Sequence, residues 1–243
     1  MRKKIGFISS SIVVALLVST PAAIAVVNGQ PDPVLARNAV MVLDDHGNMC
    51  TGAVIAPTAI LTAAHCVTEG STWRVHWRAP DGTPILIIPK AVRVHPGYRP
   101  EPSGKAVKSI DLAVVTLSDP LPSPFEPIAL SDAPSVTAGD LISVAGYGYS
   151  EEKNRKTLGT FRRADLAVIE PFGHSSILVW LSDPNAGGAG GCQGDSGGPL
   201  IYQGALLAIT FVTTGIGQHN CGALTQGTLI APQRDWIAKA MQP

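Results

Sequence analysis

The stretch Gly191-Cys192-Gln193-Gly194-Asp195-Ser196-Gly197-Gly198-Pro199-Leu200 (GCQGDSGGPL) carries one hydroxyl, one carboxylate, one thiol and four glycines. A serine hydroxyl is a poor nucleophile unaided. It needs a general base within hydrogen-bond reach, and the base needs an orienting group. The chain has six histidines to supply the base. His65 lies in Leu61-Thr62-Ala63-Ala64-His65-Cys66, directly after an apolar run and beside a cysteine. Asp111 heads Asp111-Leu112-Ala113-Val114-Val115-Thr116-Leu117, a carboxylate opening a buried-strand pattern. A buried acid requires a hydrogen-bonded or charged partner, and a histidine N–H is a suitable one.

The rest of the chain is consistent with a secreted β-protein. Its 243 residues suffice for one or two small domains with a real core. Hydrophobic residues make up 45% and charged residues 15%, a balance that excludes disorder. Formal net charge is zero, so nothing favours nucleic acid as a partner. Residues 1–25 have the form of a signal peptide: Arg2, Lys3 and Lys4, an apolar run clearest over Ile12–Val18, Pro21, then Ala23-Ile24-Ala25. The apolar run is short of the roughly 20 residues that span a bilayer, so no stable membrane insertion is expected after cleavage. Export places the four cysteines in an oxidising compartment, where two disulfides are favoured over free thiols or a metal.

Short apolar runs separated by turn residues follow. Strands are predicted at Ala39–Leu43, Ala53–Ile55, Ile60–Thr62, Ile85–Ile88, Leu112–Leu117, Leu141–Ala145, Ala164–Ile169, Leu178–Leu181, Leu200–Tyr202, Leu206–Phe211 and Thr228–Ile230. In Thr72–Arg78, Trp73, Val75 and Trp77 alternate with Arg74, His76 and Arg78, the period of a half-buried strand. Only Pro232–Met241 reads as helix. The prolines of Asp119–Pro134 exclude a central strand and mark a linker. The expected architecture is all-β, with residues 26–130 and 131–243 as two units.

LTAAHC, DLAVV and GDSGGP, in the order His, Asp, Ser, resemble the chymotrypsin/trypsin family of serine endopeptidases, here as a secreted, bacterial-type member. The resemblance runs from Val26-Val27-Asn28-Gly29 to the terminal helix. It implies two antiparallel six-stranded β-barrels and a C-terminal α-helix. It implies Ser196 as nucleophile, His65 as general base and acid, and Asp111 as the group that fixes the imidazole. The N–H groups of Gly194 and Ser196 would form the oxyanion hole. Asp195 would pair with the ammonium of Val26, freed by cleavage after Ala25. Animal members are cut after Arg or Lys, whereas here no basic residue lies between Lys4 and Arg37. Signal-peptide removal would therefore itself activate the enzyme. Four cysteines allow three pairings. The expected pairs are Cys50–Cys66 and Cys192–Cys221, one in each half.

The resemblance places Gly190 at the base of the specificity pocket, with Gly191 and Gly227 adding little bulk and Thr213 at the entrance. Without an acid there, trypsin-like cleavage is not expected; apolar or aromatic residues are, with Thr213 narrowing the entrance toward smaller ones. Covalent catalysis by serine requires no cofactor or metal. A zinc site at His65-Cys66 lacks the companion spacing, and Asp44-Asp45-His46-Gly47-Asn48 reads as a turn rather than a calcium loop. His219 reads as a surface residue. Expected partners are protein or peptide substrates and protein inhibitors, and the enzyme is expected to be a monomer. The alternative is a catalytically inactive binding module on the same scaffold.

Overall fold

A computed structural model describes residues 26–67, 71–100, 109–133, 135–171 and 173–242. The expected leader, residues 1–25, lies outside the described residues. The strands are β1 (Gln30–Pro31), β2 (Ala39–Asp44), β3 (Met49–Ala56), β4 (Ala59–Thr62), β5 (Trp73–Arg78), β6 (Pro84–Ile87), β7 (Ala91–Val94) and β8 (Ala113–Thr116). They continue with β9 (Leu141–Gly146), β10 (Arg162–Ile169), β11 (Leu178–Ser182), β12 (Pro199–Tyr202), β13 (Ala205–Thr214) and β14 (Leu224–Leu229). One α-helix, α1 (Arg234–Ala240), follows a short helical turn at Ala231–Gln233.

Both sheets are antiparallel. The first runs β6-β5-β2-β3-β4-β8-β7 and the second β1-β10-β11-β14-β13-β12-β9, closed by pairing of β9 with β10. The expected all-β fold of two barrels with a terminal helix is found. Pro89 lies between β6 and β7, where a residue without an N–H cannot continue the ladder, so this stretch forms two short strands. β7 escaped the sequence reading because Pro89-Lys90 and His95-Pro96 bracket a short, half-exposed run. The chain between Asp119 and Pro127 forms no strand, in keeping with its prolines.

Alternation explains most of the burial. Along β10, Arg162, Ala164, Leu166 and Val168 turn inward while Arg163 and Asp165 face water. β5 departs from it: His76, expected to point outward, is 6% exposed. Its Nδ1 lies 2.8 Å from the Ile85 carbonyl of β6, so the ring's polar edge is satisfied inside the sheet.

The halves are interlocked. Val27 bridges to Gly190 and β1 pairs with β10, so the start of the described chain belongs to the second barrel. Conversely Ile209, Ile230, Ile237 and Ala240 join the core of the first barrel with Val40, Ile60 and Leu112. Each fully buried aliphatic side chain of this kind contributes about 1.5–3 kcal/mol relative to exposure.

Candidate active site

β4 ends at Thr62 and the chain turns at once into a single helical turn, Ala64–Val67, that carries His65. The Cys50–Cys66 disulfide, with Cα atoms 6.1 Å apart, ties that turn to β3. Asp111 lies two residues before β8, the neighbour of β4, so strand pairing brings it to the turn. One carboxylate oxygen accepts the His65 backbone N–H at 2.9 Å, and the other lies 2.5 Å from His65 Nδ1. Asp111 is 1% exposed, whereas the imidazole is 35% exposed at its other edge. A buried acid gripping Nδ1 fixes the tautomer that leaves Nε2 open to accept a proton. The half-buried Tyr98 phenol is pushed up, first by burial and then by the Asp111 charge.

Ser196 reaches the same place from the second barrel. Its carbonyl accepts the Thr51 N–H at 2.8 Å, and Gly197 N–H donates to the Thr210 carbonyl at 2.8 Å. A Cβ on Gly197 would lie 2.1 Å from Thr62 Oγ1, 2.3 Å from the Thr51 carbonyl and 3.0 Å from Ala63 N. Only glycine permits that approach, and φ is +79°. The loop that bears Ser196 therefore rests on the strand end that delivers His65. Phe211, next to Thr210, has its ring 6.4 Å from the imidazole. Among the described residues the Ser196 hydroxyl makes no hydrogen bond to His65, a looseness common before substrate binds.

The 192–195 loop, expected to hold the oxyanion, is a turn held from both sides. Asp195 N–H donates to the Cys192 carbonyl at 3.0 Å, and Thr51 Oγ1 donates to the Gly194 carbonyl at 2.8 Å. Gly194 has φ +96°, and a Cβ there would meet Gly148 Cα at 2.7 Å. Neither Gly194 N–H nor Ser196 N–H has an acceptor among the described residues. Asp195 is wholly buried and accepts Gly148 N–H at 2.8 Å and Cys192 N–H at 2.9 Å. Burial pushes its carboxyl up to about 7, with those two N–H groups pulling the other way. Val26 is also fully buried, with φ +47°, an unusual conformation for a β-branched residue. Gly190 N–H donates to the Val27 carbonyl at 3.1 Å, which places this segment beside the pocket residues.

The expected pocket residues are only partly brought together. A Cβ on Gly191 would lie 2.6 Å from Thr213 Cγ2, and Gly191 N–H donates to Thr225 Oγ1 at 3.0 Å. Gly190 lies against the Gly222 backbone, 3.2 Å from where its Cβ would be. Gly227 does not join them. It sits deeper in the barrel, where a Cβ would lie 2.3 Å from Leu200 Cδ1 and 3.2 Å from Ala208 Cβ. Thr225, not foreseen from sequence, stands on the same face of β14 nearer the pocket, opposite Thr213. The only signal for it was a period-two step back from Gly227.

Both expected disulfides are formed, the second with Cα atoms 4.7 Å apart between Cys192 and Cys221. Cys50, His65 and Cys66 lie close enough to suggest a metal group, but the two sulfurs are bonded to each other and offer no thiolate.

Comparison with known proteins agrees with this fold. The trypsin family model matches residues 26–237. The chain is 30% identical over 213 residues to brachyurin of Leptuca pugilator, covering 83% of this chain and 91% of that one. It is 28% identical over 213 residues to human kallikrein-11, covering 80% and 72%. Mouse brain neuropsin, a serine protease structure, superposes with a TM-score of 0.71 at 23% identity over 89% of this chain and 100% of its own. These relatives are animal proteins, as are trypsins from fly and salmon, so the bacterial-type placement finds no support among them. The chain belongs to the trypsin family and is a serine endopeptidase.

Proposed function

We propose that Ser196, His65 and Asp111 form the catalytic triad of a secreted endopeptidase. The observation that carries this reading is the two-oxygen grip of buried Asp111 on His65, beside the loop that bears Ser196. His65 takes the Ser196 proton as Oγ attacks the peptide carbonyl, then returns it to the leaving amine. The acyl-enzyme is released by water that His65 deprotonates. The unengaged N–H groups of Gly194 and Ser196 receive the developing oxyanion. A single such donor contributes roughly 10²–10³ in rate.

Cleavage after Ala25 would free the Val26 amine as an ammonium, the one partner that satisfies a fully buried Asp195 charge. Amino-terminal sequencing of secreted, active protein should begin at Val26; any other start overturns this maturation route. Within the expected apolar and aromatic range, the pocket favours small apolar residues at P1, the position preceding the scissile bond. Thr213 and Thr225 flank Gly191, and Gly190 offers no charge to Lys or Arg. A peptide library should return Ala and Val ahead of Phe, and Thr213→Gly with Thr225→Gly should move the preference toward Phe.

A fluorophosphonate probe tests the whole reading. Labelling and casein hydrolysis should both occur, and both should vanish in Ser196→Ala. A folded protein that the probe does not label would be the alternative, an inactive binding module. No helix among the described residues is long and apolar enough to cross a membrane. The proposal includes a monomer that protein inhibitors can occupy at the same cleft.

A further inference from the structure

Glu152 commits a partly buried side chain to a loop remote in sequence. Its side chain is 13% exposed. One oxygen accepts the Asn220 backbone N–H at 3.0 Å, and the other accepts the Asn220 side-chain amide. His219 Nδ1 lies 3.6 Å from the carboxylate. A surface glutamate would ordinarily keep both oxygens in water. Here they hold one particular residue, by its peptide N–H and its side-chain amide, and hydrogen bonds to a charged acceptor are the stronger kind.

The segment so held is a wall of the specificity pocket. Asn220 adjoins Cys221, which is bonded to Cys192. Gly222 N–H donates to the Gly191 carbonyl at 3.3 Å. A Cβ on Gly222 would lie 2.4 Å from the Gly188 carbonyl, and one on Gly215 would lie 2.2 Å from the His219 carbonyl, so backbone packs directly on backbone. Within the 219–222 segment Cys221 is fixed by its disulfide, whereas His219 and Asn220 are exposed and have little packing to fix them. Glu152 is anchored in turn. Four residues earlier Gly148 N–H holds Asp195, and Tyr149 N–H donates to the Gln193 carbonyl at 2.9 Å. One short stretch, residues 148–152, thus braces the oxyanion turn at one end and the pocket wall at the other.

We infer that Glu152 is a positioning residue for substrate selection: by fixing Asn220 it sets the place of the 219–222 wall relative to Gly190 and Gly191, and so the depth available to the P1 side chain. This rests on the proposed catalytic reading, because the pocket is defined by its nearness to Ser196. Glu152 touches no reacting atom, so its effect falls on substrate binding and discrimination rather than on acyl transfer.

The test measures kcat and KM for peptides that differ only at P1 (Ala, Val, Leu, Phe), with fluorophosphonate labelling of Ser196 in parallel. Glu152→Ala should raise KM about tenfold for the preferred residue and compress the differences among the four peptides. Its kcat and labelling rate should stay within about twofold of the parent. Glu152→Gln keeps an oxygen for the Asn220 N–H and should recover most of the lost discrimination. Asn220→Ala, which removes only the side-chain bond, should fall between, and it carries the test should Glu152→Ala fail to fold. An unchanged spread of kcat/KM among the four peptides in a normally labelled variant overturns this inference alone, as does a uniform drop in kcat with that spread intact. Absence of labelling in the parent overturns the catalytic reading, and this inference with it.

Discussion

Burial of Asp195 ties the stability of the uncut chain to pH. Its ordinary value is 3.8, and burial raises it to about 7 in the uncut chain. Between those values the unfolded chain has released the proton while the folded chain retains it. Stability of the uncut chain is therefore full below the lower value and falls as pH rises toward the upper one, by on the order of 4 kcal/mol. Thermal unfolding of the uncut chain, set against its Asp195→Asn variant, should show that decline between pH 4 and 7. If cleavage frees the Val26 ammonium and it pairs with the carboxylate, as proposed, the decline should vanish in the cut chain. A decline of equal size in both forms would mean that the ammonium does not reach Asp195. The neighbouring glycines belong to the same device. A Cβ on Gly146 would lie 2.3 Å from Asp195 Oδ1, and one on Gly148 would lie 2.6 Å from its Cγ.

At the scale of elements, the loop 196–198 and the β3–β4 hairpin form one joint. Gly197→Ala would force a methyl against Thr62 Oγ1 and the Thr51 carbonyl in a left-handed conformation. The expected cost is about 3 kcal/mol or more. Denaturant unfolding should register it, and peptide hydrolysis should be lost. Removing the Cys50–Cys66 bond, which spans 16 residues, should cost about 3 kcal/mol by loop entropy and loosen the turn that holds His65. A double alanine variant with parent stability would contradict that. Strand positions were legible because alternation and proline punctuation are local signals, as β10 illustrates. The candidates His65, Asp111 and Ser196 stand out in the sequence because each sits in a distinctive short context, and the fold brings His65 and Asp111 into contact. Thr225 does not stand out: it reaches Gly191 through the register of β13 on β14, which shifts between Thr210 and Val212. No single stretch of sequence encodes such a shift. Glu152 was missed for the same reason, since its partner lies 68 residues away.

For the whole molecule, the terminal helix matters more than its seven residues suggest. Ile237 and Ala240 pack in the core of the first barrel, the Trp236 ring meets His95 edge-on at 4.6 Å, and Arg93 donates to the Ala240 carbonyl at 3.0 Å. Trp236→Ala should destabilise the protein by about 2–3 kcal/mol. It should also lower activity, although it lies outside the candidate site, because the helix clamps the barrel that carries His65 and Asp111. Calorimetry with parallel hydrolysis assays checks both outcomes. Because the first strand is lodged in the rear half and the last helix in the front half, the protein is clasped like folded arms. A single backbone nick in the proline-rich crossing should leave the two pieces gripping one another under native conditions. Neither piece, produced without its counterpart, should fold on its own, because each would lack an element that the other supplies.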